Sequence, residues 1–186
     1  MPFLNREPSV YPEHLFSTDD TIGDTAASWW CFSTLARAEK VVARRLYAQQ
    51  VPFYCPLIFK RFRSPNGRLR ESFVPLFPGY VFVFGDESHR VAALKTNKMS
   101  RCQLVADRHR LIQDLRGIHR AIELGVPLTP ESKIVAGDQI RVRSGPFAGY
   151  EGYVLRREGK TRLLLAIKFI EQGVSMEIDE AMLEKN

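Results

Sequence analysis

Apolar residues concentrate in one stretch of this chain, Phe73-Val-Pro-Leu-Phe-Pro-Gly-Tyr-Val-Phe-Val-Phe84. Its β-branched and aromatic content predicts a strand. Both alternating sets are apolar: Val74, Leu76, Tyr80, Phe82 and Phe84 on one parity, Phe73, Phe77, Val81 and Val83 on the other. A strand with one wet face alternates apolar with polar. This one is therefore either covered on both sides by its own domain or keeps one side for a partner. Pro75 and Pro78 each remove a ladder donor, which predicts a bend near the start. Gly79 lets the backbone turn there or approach another chain closely.

The pattern on either side predicts alternating elements. Residues 1–28 contain Pro2, Pro8 and Pro12, many acids and no sustained period, the composition of a mobile acidic tail. Ser28–Leu35 reads as a strand. A helix over 36–50 follows, with Leu35, Ala38, Val42 and Leu46 on one arc and Arg37, Lys40 and Arg44 on the opposite one. Residues 51–62 read as a second strand, and Ser64-Pro-Asn-Gly67 as the turn of a hairpin. A short helix over 87–97, a strand near 102–105 and a helix over 108–124 complete a β-α-β-β-α-β-α order. That order is α+β and fits the split βαβ, ferredoxin-like pattern. Gly117 lies inside the last helix, where glycine is unfavourable.

After a linker at 125–135, marked by Pro127 and Pro130, the texture changes. Residues 136–186 hold about five short alternating segments with Gly137, Gly145, Gly149 and Gly152 at corners, which describes a small β-barrel. An interior that small leaves function to its rim or outer surface. The domains expected are thus a tail at 1–28, an α/β sandwich at 29–124, the linker and the barrel.

Charge sharpens the picture. The formal net charge of +6 is unevenly spread. Residues 1–28 carry Arg6 against five acids; residues 29–124 carry 17 Lys/Arg against 7 Asp/Glu; residues 125–186 carry 9 of each. The middle section alone is basic, either a solubilising surface or the electrostatic footprint of a site for nucleic acid. The helix arc (Arg37, Lys40, Arg44) and the hairpin (Arg61, Arg63, Arg68, Arg70) are the candidate phosphate contacts. His14, His89, His109 and His119 show no metal spacing, and neither a phosphate loop nor a nucleophile motif is present. No enzymatic activity, metal or cofactor is expected. Cys31, Cys55 and Cys102, without CxxC spacing or a secretory signal, fit a reducing cytoplasm. No apolar run is long enough for a bilayer.

Two sets of residues carry a resemblance. Gly145-Pro-Phe-Ala-Gly-Tyr-Glu-Gly152, preceded by Gly137-Asp-Gln-Ile-Arg-Val142, resembles a KOW motif, as found in the SH3-like C-terminal barrel of NusG-type transcription factors. Trp29-Trp30, Glu39 and Leu76-Phe-Pro-Gly-Tyr-Val-Phe-Val83 resemble the N-terminal domain of the same family. The Pro-Leu-Phe-Pro context and Leu163-Leu-Leu-Ala-Ile167 are more similar to specialised paralogues, including RfaH-type antiterminators.

The resemblance implies a monomeric elongation or antitermination factor whose N-terminal domain grips the clamp helices of RNA polymerase through an aromatic surface. Carried over by motif, that surface would comprise Phe77, Pro78, Tyr80 and Phe82, with Trp29 nearby. Upstream or non-template DNA would meet the basic residues. The barrel would recruit a ribosomal small-subunit protein or Rho through Phe147, Phe169 and Ile170. Ile170 stands where the general factor tends to carry an exposed aromatic, which disfavours Rho, and Phe147 reads equally as a packed turn residue. RfaH-type relatives can hold this domain as a helical hairpin. The glycines at 145, 149 and 152 oppose that in the first half, whereas residues 161–172 lack glycine and proline. The competing reading is a KOW-type RNA-binding or ribosome-associated protein, against which the neutral barrel counts.

Overall fold

The structure is a computed structural model and describes residues 7–16, 27–133 and 137–185. The chain divides into two compact units, Met1–Arg108 and His109–Asn186. Among the described residues it is a mixed α/β protein with three α-helices.

In the first unit, β1 (Val10–Tyr11), β2 (Ser28–Thr34) and β3 (Phe53–Tyr54) join two later strands, β6 (Tyr80–Gly85) and β7 (Met99–Leu104). The sheet order is β1-β3-β6-β2-β7, with every neighbouring pair antiparallel. Between them β4 (Leu57–Arg63) and β5 (Leu69–Pro75) form a separate two-stranded hairpin. The stretch expected as one strand over 73–84 is therefore two. Phe73 to Pro75 finish β5, a turn takes over, and β6 begins at Tyr80. The prolines and Gly79, at φ +88°, do more than bend the strand: they move the chain from one sheet to another.

Register settles the parity of that stretch. Trp29, Cys31 and Ser33 lie opposite Phe84, Phe82 and Tyr80, so these side chains share one face. Val81 and Val83 point the other way. There they join Phe32, Phe53 and Ala93 in the core under α1 (Glu39–Ala48) and α2 (Glu87–Leu94). Val42 and Leu46 lie on the packed face of α1, as the periodicity predicts, and Ala43 joins them. Leu35 does not belong to it: Leu35 is exposed and Arg37 adopts φ +59°, so the helix starts at Glu39 rather than at 36. Its C-terminus closes by the bond pair of a Schellman motif, Val51 N–H to Leu46 O at 3.0 Å and Gln50 N–H to Tyr47 O at 3.0 Å, with Gln50 left-handed. Asp86 caps α2 by accepting from the N–H groups of Ser88 and His89.

Part of the expected tail is structured. β1 pairs with β3, the Cys55 N–H donates to Ser9 O at 2.7 Å, and Leu15 is buried. Phe16 meets the edge of Tyr54 at 4.8 Å and lies parallel to Trp29 at 6.3 Å. Leu15 and Phe16 supply this segment's apolar anchors. Residues 1–6, including Phe3, and 17–26 lie outside the described residues.

The second unit joins α3 (Arg108–Glu123) to a six-stranded antiparallel sheet. Its strands are β8 (Thr129–Glu131), β9 (Gln139–Val142), β10 (Glu151–Arg157), β11 (Lys160–Ile167), β12 (Gln172–Glu177) and β13 (Leu183–Lys185), in the order β13-β9-β10-β11-β12-β8. The helix counts with this unit by its contacts, whereas the sequence boundaries place it before the linker. Gly117 explains the association. A Cβ there would meet the Tyr150 ring at 3.2 Å and Leu165 at 3.8 Å, so the glycine admits these two side chains against the helix. The linker region, too, is partly structured. β8 pairs with β12, and buried Ser175 donates to Glu131 at 2.7 Å while accepting from Arg162 at 3.0 Å. Residues 160–167 are strand, and a single 3-10 turn, Lys168–Ile170, follows.

Candidate functional site

The turn between β5 and β6 is an exposed feature of the first unit that three hydrogen bonds hold. Tyr80 N–H bonds to Phe77 O at 3.2 Å, which closes a four-residue turn with Pro78 second and left-handed Gly79 third. Proline followed by glycine at those positions is the signature of a type II turn. Two further bonds clamp it. Gly79 N–H donates to the Glu39 carboxylate at 2.7 Å, and Thr34 N–H donates to Gly79 O at 2.8 Å. Glu39, the first residue of α1, is 5% exposed. A carboxylate buried beside Gly79 is thus a structural clamp, which its sequence position alone does not disclose.

The candidate aromatic residues divide at this turn. Pro78 is exposed and Tyr80 half-buried at the surface. Phe77, Phe82 and Trp29 are interior, the last two fully. Trp29 packs on Phe84 with ring centroids 5.3 Å apart. Periodicity separates the faces of a strand but does not report that both faces are covered.

The basic candidates divide as well. Lys40 and Arg44 on α1 approach the Glu7 carboxylate at 3.9 and 3.6 Å. Arg37 precedes the helix and does not share its arc. On the hairpin, Arg61 is bound to Glu71 directly across the ladder, with Nε 2.8 Å from Oε1. Arg63, Arg68 and Arg70 are exposed, as is Lys60, which the sequence reading leaves out of its contact set. The tip forms as predicted: Gly67 N–H bonds to Ser64 O at 2.8 Å and Gly67 sits at φ +74°.

In the second unit, Phe147 is buried and packs edge-on against Tyr150 at 6.2 Å. It anchors the Gly145–Gly149 loop. Phe169 is 37% exposed and Ile170 half-buried, so of the three candidates in this unit these two are accessible. A cleft of about 420 Å³ in this unit is lined by Arg110, Asp114, Arg116, Arg141, Tyr150 and Glu151. Burial pushes the Asp114 carboxyl up to about 6, although Arg110 lies 2.9 Å away and the Lys168 N–H donates to it at 3.1 Å. Between the ordinary carboxylate range and pH 6 the folded form therefore holds more protons than the unfolded one, and stability falls as pH rises. Urea melts at pH 4 and 7 are expected to show about 2 kcal/mol of this dependence in the second unit, and Asp114→Asn to remove it. Equal pH slopes for wild type and variant would refute the assignment.

The thiols of Cys31 and Cys55 are pushed up to about 12 by burial, which leaves them unreactive. No group of three or more His, Cys, Asp or Glu among the described residues is placed to hold a metal ion. Among the same residues no helix is long and apolar enough to cross a membrane.

Residues 27–130 match the NusG family model, described as transcription termination factor nusG. The transcription termination/antitermination protein NusG of Escherichia coli (strain K12) is 28% identical over 127 residues, covering 64% of this chain and 70% of the relative. The protein of the same name from Vibrio cholerae is 28% identical over 126 residues, covering 64% and 69%. Among solved structures, one describing domain interaction in Thermotoga maritima NusG covers 86% of this chain and 97% of that chain, at 19% identity and a TM-score of 0.46.

Proposed function

The chain belongs to the NusG family, and we propose that it is a transcription elongation factor that binds RNA polymerase, favours processivity and antitermination, and recruits a partner through its second unit. The observation that carries the proposal is the clamped turn at Pro78–Gly79. It lies within the family-matched segment and offers Pro78 and Tyr80 to solvent on a backbone fixed from two sides. Preorganised aromatic anchors of this kind supply much of the affinity at protein interfaces. Trp29, Phe77 and Phe82 support that surface from within.

The same reading takes the first unit as ferredoxin-like. In support, β2, β3, β6 and β7 count as strands one to four of a β-α-β-β-α-β unit, and the sheet runs in the order four, one, three, two. It takes the second unit as a KOW barrel carrying Phe169 and Ile170 as its accessible docking residues, toward a ribosomal small-subunit protein or Rho. Upstream or non-template DNA is assigned to the basic hairpin, with Arg37, Lys40 and Arg44 as a second contact. The protein acts as a cytoplasmic monomer without a catalytic centre.

The test is retention of core RNA polymerase by the immobilised protein. Tyr80→Ala combined with Pro78→Ala is expected to weaken binding at least tenfold while leaving the melting temperature within a few degrees, as befits surface positions. Undiminished binding by that folded double variant would remove the central claim.

A further inference from the structure

The β4–β5 hairpin has two chemically different faces. On one, Phe59 packs against Phe73 with ring centroids 5.8 Å apart, and Arg61 is tied to Glu71. Phe59, 50% exposed, and Arg63 nearer the tip stay accessible on that face, but the Phe59 ring lies against Phe73 and the neighbouring Arg61 is neutralised by Glu71. On the other, Phe62 lies directly opposite Arg70, and Lys60 opposite Ser72. Phe62 is 46% exposed, Lys60 and Arg70 are exposed, and neither cation has an acidic partner among the described residues. The ladder register places an aromatic ring and a guanidinium side by side, with an ammonium one pleat further along the same face.

From this arrangement we infer that the Lys60–Phe62–Arg70 face is a stacking platform for unpaired bases of single-stranded DNA. The inference rests on the reading, given above, that the basic hairpin faces DNA. Phosphate contact alone needs only cations, which any basic surface provides. An exposed ring beside an arginine adds a flat surface on which a base can lie, and such platforms bind single strands without reading sequence. In a duplex the base faces are already stacked, so the ring gains nothing there. The two hydroxyls flanking the face are committed within the hairpin: Ser64 Oγ donates to Arg68 O at 3.2 Å, and Ser72 Oγ to Phe73 O at 3.3 Å. Glu71 is held by Arg61. A ring and cations engage base faces and phosphates, which DNA and RNA share, so comparable affinity for the two single strands is expected.

The full chain is titrated by fluorescence anisotropy against a labelled oligodeoxythymidine of about 12 nucleotides, the matching duplex and the matching oligoribonucleotide. Phe62→Ala is expected to weaken single-strand binding about tenfold with duplex binding and the salt slope unchanged. Phe62→Trp is expected to retain affinity and to have its emission quenched by the oligonucleotide. Unchanged single-strand affinity in Phe62→Ala, no quenching in Phe62→Trp, or a tenfold preference for RNA overturns the platform. The double variant Arg63→Glu/Arg68→Glu separates the layers. If it weakens binding to both single strand and duplex while Phe62→Ala changes neither, the DNA reading stands and the platform falls. If it changes nothing, both fall.

Discussion

Phe82→Ala is expected to cost the first unit about 3–5 kcal/mol, a large part of the stability of a small domain. The ring is fully buried in the central strand β6, on the face it shares with Trp29 and Cys31. Interiors are close-packed, so truncation forfeits the transfer energy of the ring and leaves a cavity that a strand hydrogen-bonded on both sides cannot collapse to fill. Urea denaturation followed by circular dichroism measures the loss. A value below about 1 kcal/mol would mean that the ring has solvent on one side. The result bears directly on function. A Phe82→Ala protein that fails to hold polymerase has failed to fold, whereas Tyr80→Ala and Pro78→Ala leave the interior intact and test the surface itself.

Gly152→Ala is expected to destabilise the second unit by about 3 kcal/mol, whereas Gly149→Ala, three residues earlier, should cost about 1 kcal/mol. The two glycines serve different needs. A Cβ on Gly152 would stand 2.6 Å from Leu164 O and 2.7 Å from Leu163 Cδ1, so the neighbouring strand's backbone would have to move. A Cβ on Gly149 meets nothing within 4 Å, and only its φ of +88° penalises alanine there. Calorimetry of the two variants reads the difference. Equal losses would show that β10 and β11 separate easily, contrary to the steric account.

Much of the architecture is written locally. Ser64-Pro-Asn-Gly67 specifies the hairpin turn through residues that favour its backbone angles, and the turn is found where predicted. The alternation at 80–84 assigns each side chain to the correct parity because the pleat has period two. The start of α1 was not legible, since Arg37 takes a left-handed conformation that nothing in its side chain announces. The burial of Trp29 was equally hidden, because an aromatic that anchors a fold and one that greets a partner have the same composition; for Phe147, of the two readings open, the packed turn residue is the one found. Glu39 was visible only as a family mark. Its purpose, holding the Gly79 N–H forty residues away, is a tertiary fact. The ordering of Val10 to Phe16 likewise depends on a sheet edge formed by residues far along the chain.

The separateness of the β4–β5 hairpin has a consequence for how such a protein can diverge. Leu57 and Pro75 are ladder partners at its base, so the chain leaves and re-enters the first unit about 5 Å apart. The part of the hairpin beyond Phe59 and Phe73, the latter still packed against the core, is a cassette that can be lengthened, shortened or exchanged with the core left in place. The pleat sets the grammar of such exchanges. Two residues added to each arm preserve which side chains face which way, while one residue per arm inverts every face beyond the insertion. Variation at this position can therefore rewrite what the hairpin touches while the sheet beneath it stays the same.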